Sequence, residues 1–175
     1  MESTERDLLD PFHRYHISNQ IHDTAIIYDN VEMGRNNIIG AYAVIGSNGE
    51  IRGQRQFKGS VKIGDGNVIS ELVTIQRPAI EEQSTIIGNN NIIMAHAHIG
   101  HDAQIGDNCE ICTGVIIGGY ARIEDQVKLK LGVTVRNRKV IGKNALVGLG
   151  AAVVKDIAPG AVVVGNPAKP MEKVI

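Results

Sequence analysis

The chain has 175 residues, a formal net charge of −1, and is 43% hydrophobic but only 3% aromatic, with no Trp. That length fits one domain with a sizeable core, and the balanced charge offers no global basic field for nucleic acid or an acidic membrane. Two cysteines, Cys109 and Cys112, are too few for a disulfide framework and read as free, packing thiols of a reducing compartment; their C-x-x-C spacing has no second pair to complete a metal site.

Residues 1–20 follow no repeat. Ser3 or Thr4 can N-cap a short helix with an acidic first turn, limited by Pro11, so the segment reads as a small N-terminal cap. It lacks the basic start and apolar run of a signal peptide. Polar residues or glycine interrupt every apolar stretch well short of the about 18 residues of a membrane-spanning helix. A soluble, cytoplasmic protein without membrane insertion is expected.

From Ile21 a period of six takes over. It runs through Ile27, Met33, Ile39, Ile45, Ile51, Phe57, Ile63, Ile69 and Ile75, breaks at Glu81, and resumes from Ile87 to Val153. Glycine often follows the apolar step, as in Gly40, Gly64, Gly100 and Gly118, and a small or β-branched residue comes four positions after it, as in Ala43, Ala97 and Val115. Six is neither the 3.6 of a helix nor a plain alternation of two. It suits a short strand followed by a tight corner, where glycine tolerates a backbone bend. Three such units make a triangular coil of about 18 residues, and coils stack in parallel as a solenoid about 4.8 Å apart. The interior is then a set of aliphatic columns too narrow for Trp.

This predicts an all-β hexapeptide-repeat solenoid over residues 21–164. Two polar stretches, near 47–60 and 77–85, read as loops extruded from it. Loops on a rigid scaffold commonly hold ligands. Residues 165–175 form a short C-terminal tail in which two prolines and a lysine are expected to stop further strand pairing.

The chemistry concentrates in Ile93–Asp107, where His96, His98, His101 and Asp102 fall within seven positions. A histidine near its ordinary pKa can take a proton from a hydroxyl or amine while a carboxylate fixes its tautomer. His101 and Asp102 supply both groups if the corner after Ile99 turns them toward each other. His96 and His101 also match the paired ligands of γ-class carbonic anhydrases, but Gln76 stands where a third histidine would complete an open zinc site. No metal ligand is assigned. His13, His16 and His22 read as surface fillers.

The run from Val68 to Arg77, followed by a loop and Ile87–Asp102 with its His-Ile-Gly-His-Asp signature, resembles the UDP-N-acetylglucosamine O-acyltransferases of lipid A biosynthesis. The resemblance implies a left-handed parallel β-helix and a homotrimer with the donor groove between subunits. It implies His101 as general base supported by Asp102, His98 as a substrate contact, Gly119 as backbone beside the acyl thioester, and Asn137 at the acyl-chain site. Gln76 and Tyr120 stand where that family has histidines in its substrate site, and its C-terminal helical domain has no counterpart here. Instead, Val164–Lys169 is similar to acetyl-CoA-dependent sugar acetyltransferases, which makes Lys155 and Lys169 candidate contacts for a donor phosphate.

The expected activity is acyl transfer from an acyl-carrier-protein or coenzyme A thioester to a hydroxyl or amine of a nucleotide-linked sugar, with no catalytic metal. The alternatives are an acetyl-CoA-dependent N- or O-acetyltransferase, a carbonic-anhydrase-like metalloprotein, and a non-catalytic scaffold.

Overall fold

A computed structural model describes residues 18–53, 58–79 and 83–171. The expected N-terminal cap lies outside them except for Ser18, Asn19 and Gln20. Among the described residues no helix is long and apolar enough to cross a membrane.

The architecture is the left-handed parallel β-helix. Strands of two to four residues build sheets of nine, seven and six strands among the described residues. These sheets are the three faces of a prism, begun in chain order by Gln20–Ile21, Ile26–Ile27 and Val31–Met33. Residues one coil apart are paired in parallel, as His98 with Ile116 and Ile99 with Ile117. The ladder side chains Ile39, Ile45, Ile69, Ile75, Ile93 and Ile99 are almost wholly buried. Removing each such side chain from water is worth about 1.5–3 kcal/mol, which is why an unbroken aliphatic column can hold strands this short.

The corner works differently from the expectation. At most corners the residue three positions after the ladder residue takes the left-handed turn, as at Asn90 (φ 54), His96 (φ 60), Asp102 (φ 60) and Tyr120 (φ 59). The glycine directly after the ladder residue serves another purpose. A β-carbon on Gly100 would stand 2.7 Å from the backbone N of Gly119 in the next coil, so close approach between coils, rather than the bend, demands glycine there.

Two insertions interrupt the stack. Val44 pairs with Thr74, 30 residues on, and Thr74 with His98, 24 residues on. Both excursions leave the end of the second face and return at the start of the third, at Ser60–Ile63 and Ser84–Ile87. Both are multiples of six, so the sequence phase survives through them although Ile51 belongs to a loop rather than to a prism face.

The tail departs from the expectation that pairing stops. Lys169–Pro170 folds back antiparallel on Val162–Val164, and Ala152 exchanges backbone hydrogen bonds with Gly165 and Ala168 at 3.0 and 2.8 Å. The open end is covered by the chain itself. Both cysteines are free and buried. Burial pushes the Cys109 thiol up to about 11, and its Sγ donates to the Glu124 carbonyl at 3.1 Å.

Candidate active site

His101 and Asp102 sit on the edge where the second face turns into the third. In an extended strand their side chains would diverge. The left-handed conformation of Asp102 (φ 60) swings them together, and His101 Nδ1 lies 2.7 Å from Asp102 Oδ2. Both are nearly buried, at 9% and 5% exposure. The strained corner is held from below: Asp102 N donates to Thr85 Oγ1 at 2.9 Å, and Ala79 N donates to Asp102 Oδ2 at 2.9 Å. Ala79 belongs to the second inserted loop and Thr85 to the strand that follows it. An ionised carboxylate can only accept, so the ring proton sits on Nδ1 and Nε2 keeps its lone pair.

Above the imidazole passes the backbone of Gly119, one coil later. A β-carbon there would lie 2.6 Å from both His101 Cε1 and Nε2, so only glycine fits over the ring. The N–H of Gly119 donates to no other described residue.

The groove beside His101, about 440 Å³, is lined by Glu50, Gln76, His98 and Asn137 together with Gly118 and Gly119. Gln76 is 6% exposed and ends the strand Thr74–Gln76 one coil before His98–Ile99. His98 Nδ1 is 2.7 Å from Thr74 Oγ1. Burial lowers the His98 pKa, while Glu50 raises it and His101 lowers it further.

The structure thus brings together His101, Asp102, His98, Gln76, Gly119 and Asn137. Tyr120, expected to touch substrate, does not line the groove. It occupies the corner position, where the chain is already turning to the third face, and stands edge-on to His101 with ring centroids 5.0 Å apart. The Arg138 guanidinium covers the Tyr120 ring at 4.2 Å. Burial first, and then the Asp102 charge, raise the Tyr120 pKa. The Arg138 charge opposes that rise.

His96 is on the other edge of the second face, at the corner before His98 rather than after it. Lys155 occupies the His101 position three coils on, by the pairings of Ile99, Ile117, Val135 and Val153, about 14 Å along the same edge. Lys169 is exposed in the folded-back tail. Sequence reasoning did not single out Glu50, Thr74, Thr85 or Ala79. Glu50 and Ala79 reach the site on the inserted loops, and the 18-residue repeat carries no signal for where those loops fold.

The family model described as bacterial transferase hexapeptide (six repeats) matches residues 84–119, the stretch holding Thr85, His98, His101, Asp102 and Gly119. A UDP-N-acetylglucosamine acyltransferase of Francisella novicida superposes with a TM-score of 0.72 at 30% identity, over 89% of this chain and 69% of that one.

The chain belongs to the hexapeptide-repeat acyltransferases.

Within that family, an acyl-[acyl-carrier-protein]–UDP-N-acetylglucosamine O-acyltransferase of Gloeothece citriformis is 38% identical over 144 residues, 82% of this chain and 52% of the relative. The structure of the UDP-N-acetylglucosamine O-acyltransferase of Moraxella catarrhalis matches with a TM-score of 0.69 at 28% identity, over 89% of this chain and 73% of that one. The chain spans about half the length of the curated relatives it matches.

Proposed function

We propose that this hexapeptide-repeat acyltransferase moves an acyl group from an acyl-carrier-protein or coenzyme A thioester to a hydroxyl or amine of a nucleotide-linked sugar. The observation that carries the reading is the buried His101–Asp102 contact at 2.7 Å, with Nε2 facing a groove beneath a glycine backbone. His101 Nε2 removes the proton from the attacking hydroxyl or amine, and Asp102 holds the productive tautomer and steadies the imidazolium that forms. The N–H of Gly119, which donates to no other described residue, is the donor best placed to stabilise a tetrahedral oxyanion beside His101. The imidazolium then protonates the departing thiolate, leaving ester or amide and free thiol. No step is assigned to a metal.

His98, Gln76 and Asn137 are the substrate contacts in this reading, and Tyr120 acts from behind His101. Lys155 and Lys169, on the far coils and tail, are assigned to the donor's phosphates. The names of the relatives support a UDP-N-acetylglucosamine acceptor and an acyl-carrier-protein donor. We assign the chain to the cytoplasm, as a homotrimer whose donor groove lies between subunits.

A screen of acyl-carrier-protein and coenzyme A thioesters against nucleotide sugars, read by thiol release and product mass, tests the proposal. Acceptor-dependent thiol release is expected with one donor class. Its absence with every pair, under conditions where the protein is folded, contradicts it.

A further inference from the structure

We propose that Thr74 is a positioning residue for His98: its hydroxyl donates to Nδ1 of that ring and so fixes the ring proton on Nε2, where it meets an oxygen of the bound substrate. This deepens the acyl-transfer reading above and rests on it.

The stacking of the second face sets the pair. Thr74 is the direct strand neighbour of His98 one coil earlier, and its Oγ1 lies 2.7 Å from His98 Nδ1. Val44 pairs with Thr74 on the far side, and Ile116 pairs with His98. Neither of those flanking side chains can donate or accept, so within this outward column the hydroxyl and the imidazole are each other's partners. Among the described residues, neither side chain makes a second hydrogen bond.

Which atom carries the shared proton decides what His98 offers a ligand. Were Nδ1–H to donate, the Thr74 hydroxyl proton would lie over Val44 with no acceptor among the described residues. With the hydroxyl donating, its proton and the Nδ1 lone pair are both used. Burial first of all lowers the His98 pKa, against the Glu50 charge and together with His101, so at pH 8 the ring is uncharged and holds one proton. That proton is then on Nε2, the nitrogen left for the groove that His98 lines.

Two imidazoles of opposite polarity therefore share one groove. His101 turns Nδ1–H to Asp102 and keeps a bare Nε2 that can take a proton. His98 keeps a bare Nδ1 against Thr74 and presents Nε2–H, which can only donate a hydrogen bond. The difference comes from what stands behind each Nδ1: a carboxylate that accepts, and a hydroxyl that donates. A substrate is thereby oriented with its reacting X–H toward His101 and a lone-pair oxygen toward His98.

Long-range proton–nitrogen correlation NMR of histidine-labelled protein at pH 8, assigned by difference against His98→Gln and His101→Ala, reads the tautomers directly. The wild type is expected to show His98 protonated at Nε2 and bare at Nδ1, with His101 the reverse. Thr74→Val keeps a β-branched shape like that of the paired Val44 and removes the hydroxyl. It is expected to give mixed His98 tautomers and to raise KM for the sugar roughly tenfold, as loss of one hydrogen bond would, with kcat within threefold. Thr74→Ser is expected to restore both. A wild-type His98 proton on Nδ1 overturns the proposal. So does a Thr74→Val variant with unchanged tautomer or unchanged KM, and so does a Thr74→Ser variant as impaired as Thr74→Val, which would mark a packing role. Failure of the wild type to acylate any sugar is a separate outcome that sinks the acyl-transfer reading, while the wild-type spectrum still decides where the His98 proton sits.

Discussion

Gly119 and His101 are in contact across one coil of the prism, and the space for the imidazole exists because residue 119 has no side chain. A β-carbon there would stand 2.6 Å from Cε1 and Nε2 of the ring, well inside van der Waals contact. Gly119→Ala must therefore displace the imidazole or part the coils. Overpacking of this kind costs about 1–3 kcal/mol. If His101 is the base, the larger effect is on turnover, with a loss on the order of 10²-fold from misplacement of a reacting group. Initial rates and thermal melting of the same variant measure both. A rate within threefold of wild type would show that Nε2 is not the reacting atom.

The His101–Asp102 pair makes a second expectation. Asp102 Oδ2 faces both His101 Nδ1 and Ala79 N–H, two positions that both ask for an acceptor. An asparagine amide oxygen can accept both contacts but carries no charge, so Asp102→Asn keeps the geometry while removing the negative charge that steadies the imidazolium. Transfer is expected to fall by roughly 10²-fold or more with the fold retained. The readout is kcat beside a circular dichroism spectrum.

The lowered pKa of His98 ties stability to pH in one direction. Burial holds the folded value below the ordinary 6.5, so the unfolded chain binds this proton more readily than the folded one. The stability associated with neutral His98 is present above pH 6.5 and is lost as pH falls through the folded value. Wild-type melting temperature is expected to drop more steeply than that of His98→Gln between pH 7.5 and 5. Parallel curves would show that His98 is not buried enough to resist its charge.

Both thiols should be silent in the folded state. Cys109 is buried with its pKa pushed up to about 11, and burial together with the Glu110 carboxylate raises Cys112. Since the thiolate is the reactive form, a thiol reagent at pH 8 is expected to label neither residue in the native protein within minutes, and both after denaturation. Rapid native labelling would mean that the coil around Glu110–Ile111 opens readily.

How far the sequence disclosed this site can be followed residue by residue. The spacing of Ile93, Ile99 and Ile105 announces the prism, because an aliphatic column tolerates almost nothing else. It also places Gly119 one coil above His101, which is counting by 18. Counting by six also puts His96 and His101 on successive corners, one before and one after the strand His98–Ile99. It could not show that Asp102 turns left-handed and so faces its own neighbour. Glycine after the ladder residue looked like a bend-maker, yet close approach between coils is its role, a difference visible only once the next coil is in place. Glu50 and Ala79 were hidden most completely. Their loops insert multiples of six, so the phase runs on through Ile51; polarity marks both stretches as loops, but no count shows which of their residues return to the site.

Acyl transfer by wild-type protein and His101→Ala, from the donor and to the acceptor found by screening, tests the central claim most directly. Loss of transfer by about 10²–10⁴-fold, with melting temperature and acceptor affinity near those of wild type, is the expected result. A variant that retains near-normal transfer would show that His101 is not the general base and would contradict the mechanism.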